Sequence, residues 1–168
     1  MPSFRLIKTT PLFLLVCLTG ACQQSRSAQE TRNEETVHEF FAAIDAGELD
    51  RVRQLVSDDL ALHVPGLAEP FGPDELIGAI EAFYAAFPDN THVIEQTMVE
   101  GDLVAVRLTQ HATHRGEYEG IPATGERVTI EAIHMMRFAD GVIQQWWALE
   151  DNLGLMQQLG MELTRRQK

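Results

Sequence analysis

The chain changes its hydrophobic period partway along, and this change limits the folds that it can adopt. Up to Phe87, apolar residues recur at helical spacing, whereas from Thr91 onwards long segments alternate between apolar and polar residues. Helices followed by a meander of strands predict an α+β domain, in which a curved antiparallel sheet packs against the N-terminal helices and encloses a cavity. The predicted strands are 91–99, 103–113, 127–138 and 142–149.

The helical part contains three predicted helices and one short strand. The first helix has an apolar stripe at i, i+3, i+4 and i+7, formed by Val37, Phe40, Phe41 and Ile44. A second short helix follows Gly47, and a third begins at Pro73, a residue suited to the first position of a helix. Residues 60–64 are a candidate short strand, and a final helix is predicted after the last long strand.

The N-terminal segment has the features of an export signal. A short basic start is followed by an apolar run at 11–21, which is too short to span a bilayer. Residues 18–22, Leu-Thr-Gly-Ala-Cys, resemble the lipobox of bacterial lipoproteins, which implies lipidation of Cys22 and anchoring in the outer membrane, facing the periplasm. Plain cleavage and release is the alternative. We therefore predict a signal peptide at 1–21, a flexible tether at 22–33 and a domain at 34–163.

Charge and cysteine content exclude several kinds of partner and site. The chain carries 25 acidic and 13 basic residues, a formal charge of −12, which disfavours a nucleic-acid partner. Its two cysteines, Cys17 and Cys22, both precede the domain, so the domain has no disulfide or thiolate. His111 and His114 fall on opposite faces of a strand and cannot bind one metal ion together. We expect neither a metal nor a cofactor.

The strand at 127–138 places a histidine on its apolar face. Its even positions are apolar except at His134, and they are Val128, Ile130, Ala132, His134, Met136 and Phe138. Because side chains alternate across a strand, His134 is predicted to point inward with Ala132 and Met136. An inward imidazole can transfer protons near neutral pH, and the alternative is a core histidine with a purely structural role.

Other polar and aromatic residues could complete a site. In the strand at 142–149 neither face is cleanly polar, so alternation does not decide whether Trp146 or Trp147 points inward. One of the two rings is expected to line the cavity, while the other packs against a helix or a second subunit. His63, at the end of the short strand, could face the mouth of the cavity or be a solvated strand end.

Several short motifs, taken together, resemble one family. The domain resembles the SnoaL-like polyketide (ester) cyclases of the nuclear-transport-factor-2-like superfamily. The resemblance implies a cone-shaped α+β barrel with an apolar pocket, a homodimer formed through the outer face of the sheet, and ring closure by an intramolecular aldol step without metal or cofactor. Its markers are the segments 86–89 (AFPD), 100–102 (EGD), 114–116 (HRG), 120–125 (GIPATG), 136–138 (MRF), 140–141 (DG) and 158–160 (QLG).

In the same resemblance, some functional residues of the family have a matching residue in this chain and others do not. Family cyclases have an aspartate base on the last strand, and the matching position here is Ala148, which cannot take a proton. His134 matches a histidine of the cyclase pocket, and His63 falls where a cyclase has asparagine. Glu150 shares the face of Ala148, with Trp146 on it as well. Asp151 matches a family aspartate, but it precedes the last helix, which favours a helix cap.

These observations lead to one preferred function and two alternatives. The preferred function is a cofactor-free enzyme that cyclises, isomerises or hydrates a small hydrophobic carbonyl compound. His134 is its predicted acid/base or enolate donor, assisted by His63 or Glu150, and the ligand-binding candidates are Trp146, Met136, Ala132 and Asp151. The first alternative is a non-catalytic lipoprotein that binds a hydrophobic ligand, because the base position is alanine. The second is an interaction protein whose sheet binds another envelope component.

Overall fold

The structure is a computed structural model that describes residues 17–162 and 164, with side chains from residue 28 onwards. Nine elements follow one another within this part of the chain. They are α1 (Cys17–Asp45), α2 (Leu49–Gln54), β1 (Val56–His63), α3 (Pro73–Ala86), β2 (Thr91–Glu100), β3 (Leu103–Thr113), β4 (Arg127–Ala139), β5 (Val142–Glu150) and α4 (Asn152–Gln158). The change of period in the sequence therefore corresponds to a real change from helices to strands.

The sheet has five strands in the order β1-β5-β4-β3-β2. Strands β2 to β5 form the predicted antiparallel meander, and β1 joins β5 in parallel at the edge. The turn between β4 and β5 has left-handed backbone at Asp140 and Gly141, with φ of 52° and 84°. Consecutive left-handed residues of this kind match the right-handed twist of a tight hairpin.

The helices cover one face of this sheet, and the core lies between them. The apolar stripe of α1 is buried, with Val37 and Phe40 fully enclosed, and it packs against β2 and β3. Helix α3 packs against β1 and α2, and its first turn is closed by the Glu75 carboxylate, which accepts a hydrogen bond from the Gly72 N–H at 3.0 Å. The predicted α+β architecture is confirmed, with the curved sheet wrapped around the N-terminal helices.

The segment predicted as a flexible tether differs from that prediction. Residues 22–33 belong to α1. The Glu30 carboxylate accepts a hydrogen bond from the Gly101 N–H at 2.9 Å, and the Asn33 side chain donates to the Gly101 carbonyl at 3.3 Å. The ordered domain therefore begins before Glu34, because these polar side chains bind the β2–β3 turn. The sequence pattern missed this because the segment has no apolar stripe.

The predicted export signal is largely outside the part of the chain that the structure describes. Residues 1–16 of the signal at 1–21 fall outside it, and the side chain of Cys22 does too. Cleavage, lipidation and an outer-membrane location stay predictions. Among the described helices, none combines the length and the apolar character needed to cross a membrane.

Candidate active site

The inner face of β4 carries His134, as the alternation of the sequence predicts. Every even-numbered side chain from Val128 to Phe138 is buried, and His134 is 2% exposed. The odd-numbered side chains point to the outer face of the sheet. The histidine therefore lies inside the domain, with the edge of its ring against Phe41 at a centroid distance of 5.7 Å.

A β-bulge in β5 decides which tryptophan accompanies it. Arg137 pairs with Gln145, but Phe138 pairs with Ile143, so Gln144 is an extra residue that shifts the alternation. Ile143 and Trp146 consequently both point inward, although strict alternation would place an odd-numbered and an even-numbered residue on opposite faces. Trp146 packs edge-on against Phe40, with ring centroids 5.2 Å apart. The bulge explains why the alternation of residues in this strand did not show which tryptophan points inward.

Trp146 fixes the tautomer of His134. The indole Nε1–H donates a hydrogen bond to His134 Nδ1 at 3.0 Å. Since an indole nitrogen can only donate, Nδ1 must carry a lone pair, and the neutral imidazole then has its proton on Nε2. Within the described residues this buried Nε2–H has no hydrogen-bond partner. It is a donor available for a ligand oxygen.

The charge state of His134 agrees with this role. Burial, aided by the coulombic effect of His92, lowers the pKa of His134 to about 3. The ring is therefore neutral at physiological pH, and it has one donor and no free acceptor. Of the two predicted roles, acid/base and donor to an enolate, the geometry favours the donor.

Glu150 is the acidic group nearest to that donor. Its Oε1 lies 3.6 Å from His134 Nε2 and accepts a hydrogen bond from Gln110 Nε2 at 3.3 Å. Burial raises the pKa of Glu150, and the Gln110 hydrogen bond and the coulombic effect of His92 only partly oppose this. Because its side chain is still 32% exposed, Glu150 connects the buried histidine with the solvent side of the site.

Ala148 and Asp151 do not supply a base. Ala148 lies directly opposite His134 in the β4–β5 ladder, so the site has a methyl group where the family resemblance calls for a carboxylate. The Asp151 carboxylate accepts a hydrogen bond from the Gly154 N–H at 2.8 Å and caps α4. The helix-cap interpretation of Asp151 is therefore supported, while its assignment as a ligand-binding residue stays a prediction.

His63 lies on the other side of the sheet, so its predicted catalytic role is wrong. In the β1–β5 pairing Leu62 is opposite Trp146, and His63 is opposite Trp147. Leu62 and Trp146 point inward, which sends His63 and Trp147 to the outer face. There the two rings stack with centroids 5.4 Å apart and planes 10° apart. The sheet separates His63 from His134.

The other predicted ligand-binding residues are enclosed. Met136, Ala132 and Trp146 belong to the packed core and are closed off from solvent, so they do not line an open pocket in this conformation. Partly buried side chains lie against the same core, and we call those from α3 and its surroundings the rim: Phe71, Ile77, Ile80, Tyr84 and Ala148.

A second polar cluster lies on the inner face, and it was not predicted. His92 Nδ1 is 2.5 Å from Asp45 Oδ1, the His92 backbone N–H donates to Asp45 Oδ2 at 2.9 Å, and the Tyr84 hydroxyl donates to Asp45 Oδ1 at 3.1 Å. Burial alone would raise the pKa of Asp45, but the hydrogen bonds and coulombic attraction of His92 outweigh it and lower this pKa. The pair is separated by 47 positions in sequence, and no local spacing could have indicated it.

The described residues were also compared with the ligand sets that hold metal ions. Across the described residues, no three or more His, Cys, Asp or Glu side chains are arranged to hold a metal ion. The titratable groups of the inner face are instead paired with tryptophan, glutamine and tyrosine.

Comparison with known proteins agrees with the fold. A family model for SnoaL-like polyketide cyclases matches residues 35–159. The chain is 33% identical to the aklanonic acid methyl ester cyclase DnrD of Streptomyces peucetius over 131 residues, 75% of this chain and 89% of that protein. It is 30% identical to the nogalonic acid methyl ester cyclase of Streptomyces nogalater over 124 residues, 72% and 92% of the two chains.

Solved structures show the same similarity. The crystal structure of wild-type IdmH from Streptomyces antibioticus is 30% identical, with a TM-score of 0.71 over 77% of this chain and 99% of that one. A curved, mostly antiparallel sheet packed against N-terminal helices, with an inward histidine on its longest strand, defines the α+β fold that this chain shares with the solved cyclase-like structures. The chain belongs to the SnoaL-like polyketide cyclase family, whose named relatives are enzymes.

Proposed function

We propose that the protein is a cofactor-free, cyclase-like enzyme that acts on a small hydrophobic carbonyl compound. The observation that carries this proposal is the Nε2–H of His134, which is buried, neutral and without a partner among the described residues. An unpaired buried donor is costly in a folded protein, and a ligand oxygen would satisfy it. The relatives named as methyl ester cyclases support a carbonyl-bearing ester as that ligand.

The donor suits the first step of a cyclisation. Removal of a proton next to a carbonyl leaves negative charge on the carbonyl oxygen, and a donor held in a water-poor interior stabilises that charge strongly. His134 is already oriented by Trp146, so little reorganisation is needed. Glu150, whose pKa burial raises, keeps a proton to higher pH than an ordinary glutamate and can support the same oxygen.

The rim indicates what kind of molecule would enter. Its side chains are aliphatic or aromatic and partly buried, and one of them, Ala148, lies two residues before Glu150 in β5. An apolar entrance with a few polar groups behind it favours a flat hydrophobic ligand that carries carbonyl groups. We propose aromatic polyketide esters as the substrate class, and entry past Glu150 as the route.

Turnover of aklanonic acid methyl ester tests the proposal. The unaltered protein should convert this ester into a cyclised isomer of the same mass, and chromatography measures the conversion. Replacing His134 by Gln keeps an acceptor for the Trp146 N–H but misplaces the donor, and kcat/KM should fall by about 100-fold or more. The His111→Gln variant, which alters an exposed histidine on the neighbouring strand, is the matched control. Equal turnover by the His134→Gln variant would overturn the proposed role.

A second function is favoured by one observation. Ala148 stands opposite His134, where the resemblance calls for the base of the cyclases. A protein that binds a hydrophobic ligand without converting it would need the apolar rim and the His134 donor but no base. Native mass spectrometry that recovers the ester bound and chemically unchanged after long incubation would support this function over the enzyme.

The outer face of the sheet is the proposed surface for a homodimer. Neighbouring strands expose large apolar side chains there, including Ile133 at 54% and Leu149 at 59%, which pair with each other in the ladder. An apolar surface of this kind is typical of a subunit interface. The Ile133→Glu variant should be monomeric in analytical ultracentrifugation while the unaltered protein sediments as a dimer. A monomeric unaltered protein would contradict the proposal.

A further inference from the structure

His92 faces the same interior as His134. In the β2–β3 ladder it is directly opposite Gln110, a buried residue that bonds to Glu150. Opposite residues in an antiparallel ladder share one face of the sheet, so His92, Gln110 and Glu150 form a polar row across the inner face. The His92 ring also packs against Phe41 at 5.0 Å, and Phe41 contacts His134 as well.

Asp45 sets the tautomer of His92. A carboxylate can only accept hydrogen bonds, so the close Nδ1 contact requires a proton on Nδ1. In the neutral ring, Nε2 then carries a lone pair. No hydrogen bond from the described residues reaches this nitrogen. The two inward histidines are therefore opposite tautomers, since His134 presents an N–H while His92 presents an acceptor.

We propose that His92, held by Asp45, is the general base of the reaction, in place of the carboxylate missing at Ala148. This inference rests on the proposed function, because it adds the base to a site whose donor is His134. Both imidazole rings contact Phe41, so the proposed acceptor and the proposed donor are neighbours of the same side chain. Asp45 acts as a positioning residue that orients the imidazole and compensates its charge after protonation.

The proton balance of a ring closure is complete with this assignment. His92 Nε2 takes the proton from the carbon next to one carbonyl, and the C–H electron pair moves to form an enolate whose oxygen accepts the His134 N–H. The enolate carbon then bonds to the second carbonyl carbon, whose π pair moves to its oxygen. That oxygen takes the proton back from His92, which restores the neutral imidazole. The product is an isomer of the substrate, and no co-reactant is consumed.

Tyr84 completes the support of the base. Its hydroxyl donates to Asp45 Oδ1, and burial, with the charge of Asp45 adding to it, raises the pKa of Tyr84 to about 12. The hydroxyl therefore stays protonated and continues to donate. This second hydrogen bond holds the carboxylate in place against the His92 ring, so Tyr84 is a positioning residue too.

The rate at which the acidic carbon-bound proton of the substrate exchanges measures proton removal by the base, and it does not require ring closure. Aklanonic acid methyl ester in D2O should exchange this proton in the presence of the unaltered protein, as followed by mass spectrometry. His92→Gln should slow the exchange by about 100-fold or more, because general-base catalysis contributes factors of this size. Asp45→Asn should also slow it strongly, Tyr84→Phe by less than about tenfold, and the control His111→Gln not at all.

Two further measurements distinguish a variant that has lost its general base from a variant that has lost its folded structure. Binding of 2-naphthol, a mimic of the enol that needs only the His134 donor, should change by less than about threefold in His92→Gln. Nitrogen-15 NMR of the unaltered protein should show His92 protonated at Nδ1 and His134 at Nε2. His92 protonated at Nε2, or full exchange by the His92→Gln variant, would overturn the inference alone. No exchange by the unaltered protein would overturn the proposed function and the base with it.

Discussion

Truncating Trp146 to alanine should lower the free energy of unfolding by about 3 to 5 kcal/mol, the range typical of large aromatic side chains removed from a core. Trp146 is 5% exposed and packs edge-on against Phe40 and Phe41. Its loss leaves a cavity at the centre of the domain and removes the hydrogen bond to His134 Nδ1. Urea unfolding followed by circular dichroism measures the change. A loss below about 1 kcal/mol would contradict the packing described for this site.

The Trp146→Phe variant separates the two contributions. Phenylalanine keeps much of the aromatic contact but cannot donate to His134, so the buried Nδ1 loses its partner at a cost of about 1 to 3 kcal/mol. The tautomer of His134 is then no longer fixed, and turnover should fall by more than the stability alone explains. Nitrogen-15 NMR should show Nε2 losing part of its proton. If the tautomer is unchanged in this variant, another group must hold His134 in place.

Strict alternation is the part of the sequence that predicted the site best. In β4 six successive even positions are buried, and the same regularity in the sequence is sufficient to predict that His134 points inward. In β5 the same argument fails at Gln144, because one extra residue reverses the parity between Ile143 and Trp146. A bulge depends on the pairing of two strands, so the sequence of one strand does not reveal it.

His63 shows an error that the sequence could have avoided. Leu60 and Leu62 are the large apolar side chains around it and both are buried, so the odd-numbered positions, which include His63, face outward. Interpreting the strand by alternation would have placed His63 away from the cavity. The family resemblance gave more weight to a polar residue at that position than the alternation allowed.

The Asp45–His92 pair illustrates what a single sequence does not contain. Asp45 ends the first helix and His92 begins the second strand, and neither lies in a recognisable motif. Strand β2 is at the edge of the sheet, and its burial pattern is weak, so alternation gave no reason to select His92. Only the docking of α1 against β2 brings the two side chains together.

The second large effect expected concerns the pH dependence of stability. Burial lowers the pKa of His134 from 6.5 to about 3, so the unfolded chain binds a proton at this residue before the folded chain does. Above pH 6.5 His134 is neutral in both the folded and the unfolded chain, so it adds nothing to the pH dependence of the free energy of unfolding. As the pH falls from 6.5 towards 3, the protonated unfolded state is favoured, and the free energy of unfolding should decrease by at most about 1.4 kcal/mol per pH unit, the limit for one proton.

The difference between the unaltered protein and His134→Gln isolates this effect, because the variant retains every other titrating group. Glu150 acts in the opposite sense: its raised pKa contributes stability that is present below 4.5 and is lost as the pH rises through the folded value. Asp45, whose pKa is lowered from its usual 3.8, contributes stability that is fully present above that pH and is lost only as the pH falls below it, outside the range from pH 7 to pH 5. Urea unfolding at pH 7 and pH 5 should therefore show the unaltered protein losing stability relative to the variant. Equal losses in the two proteins would mean that His134 titrates normally, in which case it could not be the neutral hydrogen-bond donor on which the proposed chemistry depends.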